Sequence, residues 1–151
     1  MIAVGSDHGG LALKDAVKSA LAARGHEVDD YGTDNGDSVD YPDFAEKVAG
    51  AVSRGDVDLG ILVCGTGIGM SIVANKYPGV RAALVTDVFM AQMAKEHNNA
   101  NVLVLGGRVL DEDMAVNMVN VWLDACYEAG RHQRRLDKIA RLEEDVRAGK
   151  F

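Results

Sequence analysis

The sequence predicts a three-layer α/β domain: a five-stranded parallel sheet of Rossmann-like type, helices on both faces, and a further helix at the C-terminus. Three observations carry that prediction. Short apolar runs alternate with amphipathic stretches along all 151 residues. One run, Leu59–Cys64, is apolar at nearly every position, as a strand covered on both faces must be. The composition is 48% hydrophobic but only 5% aromatic, which builds one compact core from Val, Leu, Ile, Ala and Met.

Taken in order, Ile2–Gly5 is the first strand, and the apolar spacing of Leu11–Ala23 predicts a helix that stops at Gly25. His26–Tyr31 is a weaker second strand. Tyr41-Pro42 opens a helix over Asp43–Ser53, and Leu59–Cys64 is the third strand. A helix from Ile68 to Lys76, a strand at Arg81–Val85 and a helix at Val88–Glu96 follow. Val102–Leu105 is the fifth strand, Asp111–Tyr127 a long helix that buries Cys126, and Arg131–Arg147 a charged final helix after Gly130. Such alternation implies right-handed crossovers, with an expected strand order of 2-1-3-4-5. No repeat, low-complexity tract or linker divides residues 1–151, so a single domain is expected.

The net charge of −7 argues against nucleic acid as a partner. Charge is uneven, with 12 acids against 5 Lys/Arg in residues 1–60 and 4 against 7 in residues 131–151. The basic end suggests a local anion site or a docking helix. Polar Ser6, Asp7 and His8 interrupt the opening apolar run, unlike a signal peptide. No apolar stretch approaches the roughly 20 residues that cross a bilayer. Cys64 and Cys126 lack metal-type spacing, which suggests free thiols in a reducing compartment. A soluble cytoplasmic domain without membrane contact is expected.

In such sheets ligands bind beyond the carboxyl ends of strands, where the strand order reverses. Cys64-Gly65-Thr66-Gly67-Ile68-Gly69 leaves the buried strand there and enters a helix. Glycine at alternate positions lets backbone N–H groups approach a ligand, and the helix N-terminus adds partial positive charge. An oxyanion or phosphate is the natural occupant, and the same field favours a thiolate at Cys64. The spacing fits neither a dinucleotide fingerprint nor a phosphate loop with its lysine, and Met70 stands where a tyrosine phosphatase needs arginine. A tight turn holding an inert cysteine is the alternative.

Three further constellations hold candidate residues, the first of them expected to open beside this loop. Ser6-Asp7-His8-Gly9-Gly10 follows the first strand; a helix cap explains Asp7 or Ser6 but leaves His8 free to bind an anion or shuttle a proton. His97-Asn98-Asn99 ends a helix, where the dipole favours an imidazolium suited to general acid work. A C-cap with Asn98 or Asn99 in left-handed geometry accounts for the same residues. Arg131 and Arg135 share one face of the last helix, in a first turn whose dipole opposes cations. That conflict is expected where an anion sits between them, and the arginine fork suits phosphate. Arg134, Lys138 and Arg141 are accounted for by a solvated basic face.

Together these residues resemble the ribose-5-phosphate isomerase B family, which includes galactose-6-phosphate isomerase subunits. The resemblance spans nearly the whole chain. It rests on Gly5-Ser6-Asp7-His8-Gly9-Gly10, Ser38-Val39-Asp40-Tyr41-Pro42-Asp43, Cys64-Gly65-Thr66-Gly67-Ile68-Gly69, Ala74-Asn75-Lys76, Glu96-His97-Asn98 and Gly130-Arg131-His132-Gln133-Arg134-Arg135. It implies an aldose–ketose isomerase of pentose phosphate metabolism, with neither metal nor cofactor, acting as a homodimer or a tetramer of dimers. It also implies sites at the subunit interface, with residues donated by both copies. Cys64 would be the base, His97 the ring-opening acid, and Thr66 a helper at the reacting carbons. Asp7, His8, Asn98, Gly65, Gly67, Ile68 and Gly69 would line the sugar, and Arg108, Arg131 and Arg135 would hold the phosphate. An isomerase of another sugar, or a sugar-phosphate-binding module without catalysis, are the competing expectations. Binding alone would need neither Cys64 nor His97.

Overall fold

A computed structural model describes residues 1–151 and contains the expected parallel five-stranded sheet. Its strands are β1 (Ile2–Ser6), β2 (Val28–Asp30), β3 (Leu59–Cys64), β4 (Ala82–Leu84) and β5 (Val102–Gly106). The helices are α1 (Leu11–Ala23), α2 (Pro42–Arg54), α3 (Ile68–Ala74), α4 (Val88–Glu96), α5 (Glu112–Asp124) and α6 (Arg131–Arg147). Local chemistry sets several ends. Proline opens α2, Gly55 closes it in left-handed geometry, and the carboxylates of Asp87 and Asp111 cap α4 and α5.

Alternate residues of the central strands feed two cores. Ile2, Val4, Ile61, Val63, Leu103 and Leu105 meet α1, α4 and α5, with Trp122 fully buried among them. Ala3, Leu62, Cys64, Val102 and Val104 point the other way, against α2 and α3. This is the period of two expected of strands covered on both faces.

The strand order is β2-β1-β3-β5-β4, which corrects the expected 2-1-3-4-5 at its last two places. Burial explains the exchange. All five residues of β5 are buried, whereas β4 has three residues, each only half-buried. The strand able to be covered on both faces takes the inner position, and the shorter one takes the edge. A right-handed return from β4 to β5 then carries α4 to the α1 and α5 face. The exchange also places the loop after β5 directly beside the loop after β3.

Two other expectations need correction. The helix α5 ends at Asp124, where Ala125 turns extended, so Cys126 is exposed outside the helix instead of buried within it. The second strand shrinks to three residues, because Asp29 and Asp30 leave little apolar surface to bury.

A buried polar cluster ties α1 to the chain leaving β2. Lys14, only 1% exposed, donates to Asp30 Oδ1 at 2.8 Å and to the Thr33 carbonyl at 2.6 Å. Lys18 pairs with the other Asp30 oxygen. Burial pushes the Asp30 carboxyl up, but hydrogen bonds from Lys14, Lys18 and the Gly32 amide outweigh it and hold the group below its ordinary value.

No helix is long and apolar enough to cross a membrane.

Candidate active site

The expected site residues fall into two groups at opposite ends of the sheet. The first surrounds Cys64, the last residue of β3, whose partner across the ladder is Gly106 at the end of β5. Its side chain is 5% exposed, and Sγ accepts the Gly67 amide at 3.2 Å. Gly67 adopts φ +80°, and a β-carbon there would stand 2.5 Å from the Leu84 side chain. Only glycine allows that amide to turn back onto the sulfur. Thr66 is exposed, and its Oγ1 accepts the Ile68 amide at 3.4 Å. Gly65, Gly69 and Ile68 complete the turn into α3, with Ile68 pointing outward.

The loop after β1 lies against this turn, as the topology requires. The Asp7 amide donates to the Val63 carbonyl at 3.2 Å, and the Asp7 carboxylate caps the following turn by accepting the Gly10 amide. The carboxylate thus caps the single turn His8–Gly10, whereas α1 itself, expected to be capped by Asp7 or Ser6, begins after Gly10 without a side-chain cap; His8 remains to be explained. His8 Nδ1 accepts the Val39 amide at 3.2 Å and holds the segment before α2 over the same end of the sheet.

From the other side comes the loop after β5. The Gly107 amide donates to the Cys64 carbonyl at 2.8 Å, and the Arg108 amide donates to the Gly65 carbonyl at 2.9 Å. A β-carbon on Gly65 would lie 3.3 Å from Arg108 Nη1, so the guanidinium rests on the glycine turn. Arg108 is exposed and faces the same opening. Tyr41 also belongs here, for its ring would meet a β-carbon on Gly69 at 2.6 Å. Sequence reasoning assigned Tyr41 no role; its only signal was membership of the Ser38–Asp43 motif.

The second group gathers where α4 ends and β5 begins. His97 is the residue after α4, and Asn99 takes left-handed geometry with φ 43°. The C-cap reading is therefore correct, yet it accounts for neither the His97 ring nor the Asn98 side chain. Arg81 donates to the carbonyls of Asn98 and Asn99 at 3.1 Å and fixes the turn. The Glu128 amide donates to the Glu96 carbonyl at 3.0 Å, which brings the start of α6 to His97. There the His97 and His132 rings stack, with centroids 4.2 Å apart. Arg131 and Arg135 are exposed on the first turns of the same helix. His132, 5% exposed, and Glu128 were not anticipated as part of this group.

The ladder measures the separation. Gly60 meets the start of β5 and Cys64 its end, four residues apart, which is about 13 Å of strand. In one chain, Cys64, Asp7, His8 and Arg108 lie at one end, and His97, Asn98, Arg131 and Arg135 at the other. Folding brings together the members of each group but keeps the two groups apart.

Comparison with known proteins agrees with this architecture. A family model described as Ribose/Galactose Isomerase matches residues 2–139. Ribose-5-phosphate isomerase B of Escherichia coli is 47% identical over 143 residues, covering 95% of this chain and 96% of that protein. The solved ribose-5-phosphate isomerase B of Clostridium thermocellum superposes with a TM-score of 0.94 at 52% identity, covering 96% of this chain and 98% of that one. The Mycoplasma genitalium ribose-5-phosphate isomerase B, solved with bound ribulose 5-phosphate, superposes with a TM-score of 0.92 at 46% identity, covering 95% and 96%.

Proposed function

Since this chain belongs to the ribose/galactose isomerase family, we propose that it interconverts ribose 5-phosphate and ribulose 5-phosphate at sites completed by a second copy of itself. The observation that carries the reading is the Cys64 sulfur held against the Gly67 amide, in a turn flanked by Asp7, His8 and Arg108.

A second copy is required by the chemistry. Ring opening needs a proton at the ring oxygen, and isomerisation needs a base at the carbon beside the carbonyl. Those two atoms are two bonds apart, whereas Cys64 and His97 of one chain are separated by the length of a strand. In a two-fold dimer, the Cys64 group of each copy meets the His97 group of the other, which gives two equivalent sites. Exposed apolar side chains near the Cys64 end, Ile68, Ile72, Phe89 and Val109, offer surface for such a contact.

The cyclic sugar phosphate binds with its phosphate between Arg131 and Arg135 of one copy and Arg108 of the other. Asp7, His8 and Asn98 hold the hydroxyls. His97 gives a proton to the ring oxygen as the C1–O bond breaks, the O1 hydroxyl loses its proton to water, and the C1 carbonyl is exposed. The Cys64 thiolate takes the hydrogen from C2, and the electron pair left behind forms the cis-enediolate. Amides of the 65–69 turn and the Thr66 hydroxyl meet the negative charge on oxygen; preorganised donors of this kind contribute about 3–4 kcal/mol each. The thiol then returns its proton to C1 while the O2 proton passes to O1, which leaves the C2 carbonyl of the ketose. Phosphate binding, remote from the reacting carbons, fixes the chain for both transfers.

The test is incubation of metal-free protein with ribose 5-phosphate and detection of ribulose 5-phosphate, alongside a panel of other aldose phosphates. Turnover of ribose 5-phosphate above the others supports the proposal. Preference for another sugar overturns the substrate, and binding without turnover overturns the catalysis.

A further inference from the structure

We propose that His97, Glu128 and His132 form a transition-metal site, suited to zinc, whose occupation blocks the histidine half of the active site. One ligand atom from each residue lies within 4.8 Å of the other two. Glu128 Oε2 is 3.3 Å from His132 Nε2 and 3.8 Å from His97 Nε2. Donors on a tetrahedral zinc, with bonds of about 2.0–2.1 Å, sit roughly 3.4 Å from one another. Two edges of the triangle are therefore close to coordination distance before any metal arrives.

The hydrogen bonding of His132 points into the same space. His132 is 5% exposed, yet its Nε2 makes no aligned hydrogen bond, not even to the Glu128 carboxylate 3.3 Å away. Buried polar atoms are rarely left unpaired, and a cation at this position would satisfy one of the few that are. The His97 and His132 rings lie 13° from parallel. For both lone pairs to converge on one ion, one ring must turn. His97, 37% exposed on its side chain, is the ring free to do so, and the half-exposed Glu128 can follow.

The donor set selects the metal. Two imidazoles and one carboxylate suit zinc, cobalt or nickel, whereas magnesium and calcium require a shell of oxygens. Three protein ligands leave a fourth position open on a tetrahedral ion. The metal is an inhibitor here and no part of the reaction, because it ties down the His97 ring proposed above to carry the proton to the sugar. Metal binding stands on the geometry alone; inhibition rests on the role proposed above for His97.

Titration of metal-free protein with cobalt(II) tests the site, read as visible d–d absorption and by calorimetry. One cobalt per chain is expected. Glu128→Gln, a change at an exposed residue, should weaken binding by at least roughly tenfold, since losing even an outer partner of a ligand costs that much. His132→Asn should weaken it further. Absence of the absorption band, or equal affinity in both variants and the parent, overturns the site. Zinc should also inhibit the isomerase reversibly, with relief by chelator and a higher half-inhibitory concentration in Glu128→Gln. Metal bound without any loss of turnover would leave the site standing and remove His97 from catalysis.

Discussion

The carbonyl of Cys64 accepts the amide of Gly107 at 2.8 Å, so the loop after β5 is laced to the residue that ends β3. The same glycine runs close to the loop after β1, where a β-carbon on Gly107 would stand 2.5 Å from the Gly9 carbonyl oxygen. Three loops thus meet through backbone at one residue. Gly107→Ala should force them apart at a cost of about 1–3 kcal/mol. Denaturant unfolding reads that loss, and kcat should fall in the variant under conditions where it remains folded.

The proposed sharing of the site between copies is tested by complementation. Cys64→Ala and His97→Asn homodimers should each be inactive. Unfolding and refolding them together should restore roughly a quarter of parental activity, because half the dimers are mixed and each mixed dimer has one intact pair. No recovery in a mixture shown to contain mixed dimers would refute the shared site.

Removal of the proposed base should separate chemistry from binding. Cys64→Ala is expected to lower kcat by about 10²–10⁴, the usual range for a positioned general base. The dissociation constant for the sugar phosphate, measured by calorimetry, should stay near the parental value. Near-normal turnover would remove Cys64 from the mechanism.

Arg135→Ala should act on binding. Loss of a charge-assisted hydrogen bond costs about 1.5–3 kcal/mol, a KM increase of roughly tenfold to a hundredfold. The effect should be confined to phosphorylated sugars. An unchanged KM would show that the phosphate lies elsewhere.

The Lys14–Asp30 pair predicts acid sensitivity. A carboxyl held below its ordinary value stabilises the fold fully above the unfolded value of about 3.9. That contribution disappears as pH falls through the lowered folded value. Asp30→Asn should therefore flatten the acid limb of the stability–pH profile. It should also cost about 3 kcal/mol at neutral pH, since Lys14 then keeps a buried charge without its carboxylate. Urea unfolding across the acid range measures both.

Most of the element pattern was legible in the chain. Leu11–Ala23, Leu59–Cys64, Val88–Glu96 and Arg131–Arg147 stand where periodicity placed them, because spacing of apolar residues is a local property. The Cys64 turn was legible for a related reason: glycine, cysteine and a following helix are contiguous, so their chemistry needs no distant partner. Tertiary structure alone decided what depended on competition or on long-range contact. β5 displaced β4 from the inner position because it could be buried on both faces. Arg108 came to Gly65 as a result, and His132 came to His97 only when the start of α6 met the end of α4. Nothing in local spacing encodes such meetings, since the residues involved are remote in the chain and their contact depends on which surfaces the whole fold can cover.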